Sequence, residues 1–238
     1  MQKNLQGKLI VITGIDGSGK TVQTKLLYER LMKEDYPVVT MDFPQYGKTF
    51  FAEMVTKYLK GEFGSADSVS PYLASLLYAG DRWEFKEQIN AWLREGKIIV
   101  SNRYVCDNMA HQGGKISCLT EKEKFFQWLD KLEHQVFAVP RSNLNILLLV
   151  PVETAYQLIE KKEQRAYLAG EKKDIHEENI NHMRYAQETF LEIANGKDNW
   201  ITIDCTKNGE LLSEQVIADK VWLVVKHRFG KEELKGNT

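Results

Sequence analysis

Along this chain, short apolar runs bounded by turn residues recur at 9–13, 37–41, 97–101, 144–150 and 200–204, and each predicts a β-strand. The stretches between them space their apolar positions three and four residues apart. That period predicts helices over 21–33, 49–60, 71–94, 121–137, 152–162 and 177–194, with a last one over 211–225. Strand and helix alternating in this way implies parallel strands joined by right-handed crossovers, with helices on both faces of the sheet. The fold class is therefore α/β, built on a five-stranded parallel sheet. No repeat, low-complexity tract or Pro/Gly linker interrupts the alternation, which predicts one domain over 1–238 with a polar, fraying tail at about 231–238.

Composition narrows the partners more than the fold. The 238 residues are 43% hydrophobic and 27% charged, enough for one sizeable core. A formal net charge of −1 lacks the basic surplus of a nucleic-acid coat or a membrane-surface protein, so neither nucleic acid nor membrane is an expected partner. No stretch approaches 18 uninterrupted apolar residues, and the first residues lack the apolar segment of a secretory leader. Cys106, Cys118 and Cys205 are too few and too scattered for a disulfide framework or a four-ligand zinc site. A reducing, cytoplasmic location follows.

The strongest chemical signal follows the first apolar run. Gly14-Ile15-Asp16-Gly17-Ser18-Gly19-Lys20-Thr21 fits G-x-x-x-x-G-K-[ST], a phosphate loop between a strand and a helix. Its glycines let successive backbone N–H groups turn toward an anion, with a helix N-terminus behind them. The loop predicts an ATP site, with Lys20 as a mobile charge on the β- and γ-phosphates and the Thr21 hydroxyl on Mg²⁺. Lys20 is expected in an exposed loop. In doubly wound sheets ligands gather beyond the carboxyl ends of the strands, which makes Asp42 to Lys48 and Asn102-Arg103-Tyr104 further candidates. An arginine there is costly unless paired, so Arg103 should face an anion or a carboxylate. The five histidines show no metal-ligand spacing, which favours surface or hydrogen-bonding roles. Phe125, Phe126 and Trp128 recur at helical spacing and predict core or a subunit contact.

Several further motifs stand in order after the phosphate loop: Asp42-Phe43-Pro44, Gly61-Glu62-Phe63-Gly64, the run from Tyr72 to Trp83, Ser101-Asn102-Arg103-Tyr104, Asn108 to Gly114, Arg165-Ala166-Tyr167-Leu168 and Asp174-Ile175-His176-Glu177. With them the chain resembles the thymidylate kinases from about Lys8 to Asp204. The resemblance implies a nucleoside-monophosphate kinase fold, transfer of the ATP γ-phosphoryl group to dTMP, Mg²⁺ and a homodimer. It also implies that Asp16 meets the sugar or phosphate end of dTMP, that Phe43 lies in the substrate site and Tyr78 stacks on the base, and that Arg82 binds the thymine edge. Arg103 would hold the acceptor phosphate, and Asn108 and Gln112 would line the base pocket.

Three positions depart from the family pattern. Asn102 stands where many members carry an aspartate that helps arrange Mg²⁺. Gln45 and Tyr46 follow the Phe-Pro step where many members carry an arginine, and Lys48 is a candidate for that charge. Gly17 and Ser18 occupy positions where some members place a catalytic arginine. The missing cation is then expected from a lid at about 161–174, at Arg165, whose planar fork suits a migrating phosphoryl group. Two readings stay open beside dTMP phosphorylation. One is a kinase of another pyrimidine nucleotide or deoxynucleoside, and the other is a nucleotide-binding regulator without turnover.

Overall fold

The computed structural model describes residues 7–65, 68–166 and 180–235, with the backbone alone for 161–166 and 231–235. Five strands, β1 (Lys8–Thr13), β2 (Val38–Asp42), β3 (Ile98–Asn102), β4 (Leu144–Leu149) and β5 (Trp200–Asp204), form one parallel sheet in the order β2-β3-β1-β4-β5. The apolar runs of the three inner strands are buried on both faces, as a sheet covered by helices requires, whereas the edge strands β2 and β5 expose Thr40 and Ile201. Leu9, Ile10, Val11 and Ile12 are fully inaccessible, as are Ile99, Val100, Leu144 and Ile146. Strand β1 lies at the centre, its Ile12 in register with Asn102 of β3 on one side and with Ile146 of β4 on the other. The phosphate loop therefore leaves the middle of the sheet, flanked by the ends of β3 and β4.

The crossovers are α1 (Lys20–Lys33), α2 (Phe50–Leu59), α3 (Pro71–Arg94), α4 (Val105–Gly113), α5 (Leu119–Lys131), α6 (Val152–Ala166) and α7 (Ile180–Ala194). A last helical run, α8 (Glu214–Lys235), is broken at Gly230. Three features differ from the sequence pattern. The helix expected over 121–137 ends at Lys131 and continues as a π-helical turn, Leu132–Val136. Val105–Gly113 is a helix that the apolar spacing does not predict. The last helix begins at Glu214, after a small hairpin of β6 (Thr206–Lys207) and β7 (Glu210–Leu211).

Phe125 is fully buried in a second apolar cluster with Ala79, Leu129 and Leu132, and Phe126 and Trp128 pack on it. Those aromatics are core. Phe43-Pro44, following β2, is a cis peptide.

Candidate active site

The loop from Gly14 to Gly19 closes on itself. Ser18 N–H donates to Ile15 C=O at 3.1 Å, and Gly19 caps α1 in the left-handed region, at φ 88°. Gly17 has φ 77°, and a Cβ built there would lie 2.2 Å from the carbonyl oxygen of Ala155 in α6. Any side chain at 17 is excluded twice, by conformation and by that helix. An arginine has no room at this position.

Lys20 is buried rather than exposed, because as the first residue of α1 it folds back over its own loop. Its Nζ donates to the carbonyls of Gly14 and Ile15, each at 2.9 Å, and lies 3.5 Å from Asp16 Oδ1. Burial, followed by the nearby Arg103 charge, lowers its pKa to about 8 despite Asp16.

Asp16 forms an ion pair with Arg103, just beyond the end of β3. Burial alone would raise the Asp16 carboxyl. The charges of Arg103 and Lys20 outweigh it and hold the group well below the usual carboxylate range. Arg103 is itself a non-glycine residue at φ 66°, pinned where its N–H donates to Ile12 C=O at 3.1 Å. The strained conformation turns its side chain across the loop toward Asp16. Burial opposes its charge, but Asp16 and Asp107 keep the guanidinium firmly protonated.

Helix α4 supplies the rest of this floor. Its residues 108, 111 and 112 share one face, and all three are buried polar side chains. His111 Nε2 lies 3.5 Å from Arg103 Nη1, and its Nδ1 is 3.2 Å from His182 Nε2 in α7, the two rings being stacked. Asp107, in the first turn, accepts from Thr13 Oγ1 at 2.8 Å and from Tyr104 N–H at 3.0 Å. Burial pushes its carboxyl up, and Arg103 and Lys20 pull it down.

Across from α4, α3 presents Ser75, Tyr78 and Arg82 along one face. Arg82 is buried against Glu133 of the π-helical turn, with its centre 6.0 Å from the Phe43 ring. Asn108 Nδ2 donates to Ser75 C=O at 3.1 Å. Among the described residues no hydrogen-bond partner meets Asn108 Oδ1, either amide atom of Gln112, or Ser75 Oγ, though all are buried. Four such atoms beside an aromatic wall suit a flat ligand bearing polar edges. Tyr78 is edge-on to Tyr58, 6.2 Å between centroids, and lies near enough to Arg103 to act on its charge.

A cleft of ≈ 290 Å³ on the other side of the loop is lined by Thr21, Thr24, Asp42, Lys48 and Asn102, among others. Asn102 Nδ2 donates to Thr21 Oγ1 at 3.3 Å and lies within hydrogen-bonding reach of Asp42, while its buried Oδ1 has no partner. An oxygen donor set of hydroxyl, amide and carboxylate suits Mg²⁺ held mainly by phosphates and water. Among the described residues no three His, Cys, Asp or Glu side chains cluster as a metal cage. Lys48 also donates to Gln45 Oε1 at 3.1 Å, and Gln45 and Thr49 are tied to buried Asp81 of α3.

The structure thus gathers Asp16, Lys20, Arg103 and His111 into one floor, and brings Phe43, Arg82 and Asn108 together around Glu133, with Gln112 one turn further along the Asn108 face of α4. Sequence reading missed Asp107 and Glu133, which belong to no motif it singled out; His111, inside the run from Asn108 to Gly114, and His182 it gave surface or hydrogen-bonding roles, and the structure makes them hydrogen-bonding and buried. Asp42 it placed only among the residues after β2. Arg165 and the rest of the expected lid fall on 161–166, whose side chains lie outside the described residues, and on 167–179, which lie outside them altogether.

A family model described as thymidylate kinase matches residues 12–216. The thymidylate kinase of Pelobacter propionicus is 29% identical over 215 residues, 89% of this chain and 93% of that protein. That of Mycobacterium tuberculosis is 27% identical over 186 residues, 78% of this chain and 85% of its own. The solved structure of Candida albicans thymidylate kinase superposes with a TM-score of 0.69 at 22% identity, covering 93% of this chain and 92% of that one, a likeness of fold.

Proposed function

The chain belongs to the thymidylate kinase family, and from that premise we infer the work of its individual residues. It is a nucleoside-monophosphate kinase: it transfers the γ-phosphoryl group of ATP to dTMP, giving dTDP and ADP. The observation that carries the assignment of roles is the floor where Asp16, Lys20 and Arg103 meet at the end of the central strands. Phosphoryl transfer asks the protein to align two polyanions, neutralise their charge and exclude water rather than to supply a nucleophile.

The ATP phosphates rest on the backbone of Gly14, Ile15, Asp16, Gly17, Ser18 and Gly19. Lys20 leaves the carbonyls of Gly14 and Ile15 for the β- and γ-phosphates, an exchange of neutral acceptors for anionic ones that favours the loaded state. Thr21 holds Mg²⁺, with Asn102 and Asp42 beside it, and the ion supplies neutralising charge to the phosphate oxygens when bound. Arg103 takes the acceptor phosphate, and Asp16, which it now pairs, is left for the sugar end of dTMP. Phe43, Tyr78, Arg82, Asn108 and Gln112 receive the base, whose carbonyl and N–H edges answer the buried amides. Arg165 completes the charge around the migrating group from the lid at about 161–174.

The same reading takes the enzyme as one domain, cytoplasmic and homodimeric. Phe50, Leu73 and Trp83 are exposed apolar side chains on α2 and α3, of the kind a subunit contact covers. No helix among the described residues is long and apolar enough to cross a membrane. A coupled ADP-release assay across dTMP, dUMP, UMP, dCMP and thymidine tests the function directly. Preference for dTMP is expected, and efficient use of thymidine with little use of dTMP would move the protein to the nucleoside kinases.

A further inference from the structure

We propose that Glu133 is a positioning residue for base recognition: its buried carboxylate fixes which edge of Arg82 faces the acceptor base, and so selects a pyrimidine bearing a carbonyl at C4 over one bearing an amino group there. The inference rests on the reading above that Arg82 and Asn108 line the base pocket.

Arg82 is 2% exposed and Glu133 not at all. Arg82 Nε donates to both Glu133 carboxylate oxygens, at 3.1 and 3.0 Å, and Nη2 donates to Oε1 as well. A guanidinium is planar and rigid, so holding its Nε/Nη2 edge fixes the direction of its remaining N–H groups. Glu133 also holds the next wall, because Asn108 Nδ2 reaches its Oε1 at 3.5 Å while donating to Ser75 C=O. With its amide nitrogen so occupied, Asn108 turns its unpartnered Oδ1 elsewhere in the buried space. One carboxylate thereby orients residues from two helices.

The backbone around Glu133 is shaped to the same end. Within the π-helical turn Leu132–Val136, Glu133 is wholly buried while Val136 is 63% exposed, the reverse of what solvation alone would choose. Buried ion pairs gain little over well-packed apolar pairs, so the physical product of this arrangement is direction rather than stability. Direction matters because arginine only donates. A fixed donor attracts a ring carbonyl and opposes a ring amino group, and a site built to pair with one group rejects the analogue that lacks it.

The experiment is Glu133→Gln in the full chain, with dTMP and dCMP compared by kcat/KM and by calorimetric binding, and with the KM for ATP as control. The amide leaves Arg82 one acceptor oxygen where it had two and removes the opposing charge, so the guanidinium is no longer held along its whole edge. The dTMP-over-dCMP ratio is expected to fall at least tenfold, with the KM for ATP within about twofold of wild type. A ratio unchanged in the folded variant would overturn the inference. Arg82→Lys is the second variant, since it keeps a cation opposite Glu133 but loses the rigid fork. It is expected to fold and to lose the same selectivity, and full selectivity in it would overturn the inference even where Glu133→Gln does not fold. Failure of the wild type to use dTMP would instead overturn the function itself.

Discussion

Arg103 and Asp16, 87 residues apart in sequence, meet as an ion pair across the phosphate loop. The arginine assigned to the acceptor phosphate is thus already oriented and already charged before any nucleotide arrives. Arg103→Ala is expected to raise the KM for dTMP and lower kcat together, because it removes both positioning and charge. Steady-state kinetics with ATP saturating would show it. A KM for dTMP unchanged in that variant would place the acceptor phosphate elsewhere. The Asp16 carboxyl is depressed below its ordinary value, so the pair's contribution is present above the unfolded pKa and is lost only as pH falls through the lowered one. Between pH 5 and 9 the pair should not titrate.

Lys20 should titrate, and in a usable window. Its pKa of about 8 lies below the ordinary 10.5, so stability rises with pH between those two values and is penalised below the lower one. Phosphates of a bound nucleotide favour the charged form. ATP binding at pH 8 is therefore expected to take up roughly half a proton, measured by calorimetry in buffers of different ionisation enthalpy. Lys20→Ala should abolish that uptake and reduce turnover by on the order of 10²-fold or more, while the fold persists, because the side chain touches loop carbonyls rather than the apolar core. Proton uptake that survives in Lys20→Ala would assign the titration to another group.

Gly17→Ala is expected to damage ATP binding more than its single methyl suggests. The new Cβ would meet the Ala155 carbonyl at a φ that L-residues avoid, so the loop must shift. A strained backbone position costs about 1–3 kcal/mol, equivalent to roughly a 5- to 150-fold weaker Kd for ATP if the loop relaxes only on unbinding. Wild-type ATP affinity in the variant would show that the loop and α6 separate freely.

Arg165→Ala is expected to lower kcat by roughly 10³- to 10⁵-fold, as for arginines supplied in cis in phosphoryl transfer, with dTMP affinity comparatively unchanged. Lys172→Ala should do much less. Single-turnover kinetics beside dTMP binding separates the two quantities, and a loss of only a few-fold would put the cation on another residue.

All five sheet strands were legible to within about a residue, the three inner ones because doubly buried strands are nearly uninterrupted apolar runs and the edge strands β2 and β5 because their short β-branched runs are bounded by turn residues. Helix α4 was not, and the reason is the site itself. It is buried nearly all round, with Asp107, Asn108, His111 and Gln112 inside beside Val105, Cys106 and Ala110, so no apolar period marks the helix. Glu133 was hidden for a related reason: the π-helical turn after Lys131 rotates the helix out of its 3.6-residue phase, where pattern reading carries the period straight on. The β6–β7 hairpin did leave a signal, Asn208-Gly209, both at positive φ, the favoured pair for a tight hairpin turn. Phosphate-loop residues were the most legible, since one backbone geometry demands those glycines at that spacing.

The helices that bracket residues 167–179 both stand on the phosphate floor. Ala155 of α6 lies under Gly17, His182 of α7 stacks on His111, and Arg184 of α7 is paired with Glu153 of α6 at 2.8 Å. The first turn of α6 and the first turn of α7 are thus tied to each other and to the reaction centre. A bulkier residue at 155 or 182 would therefore shift the start of its helix and be read at the phosphates rather than where the change was made.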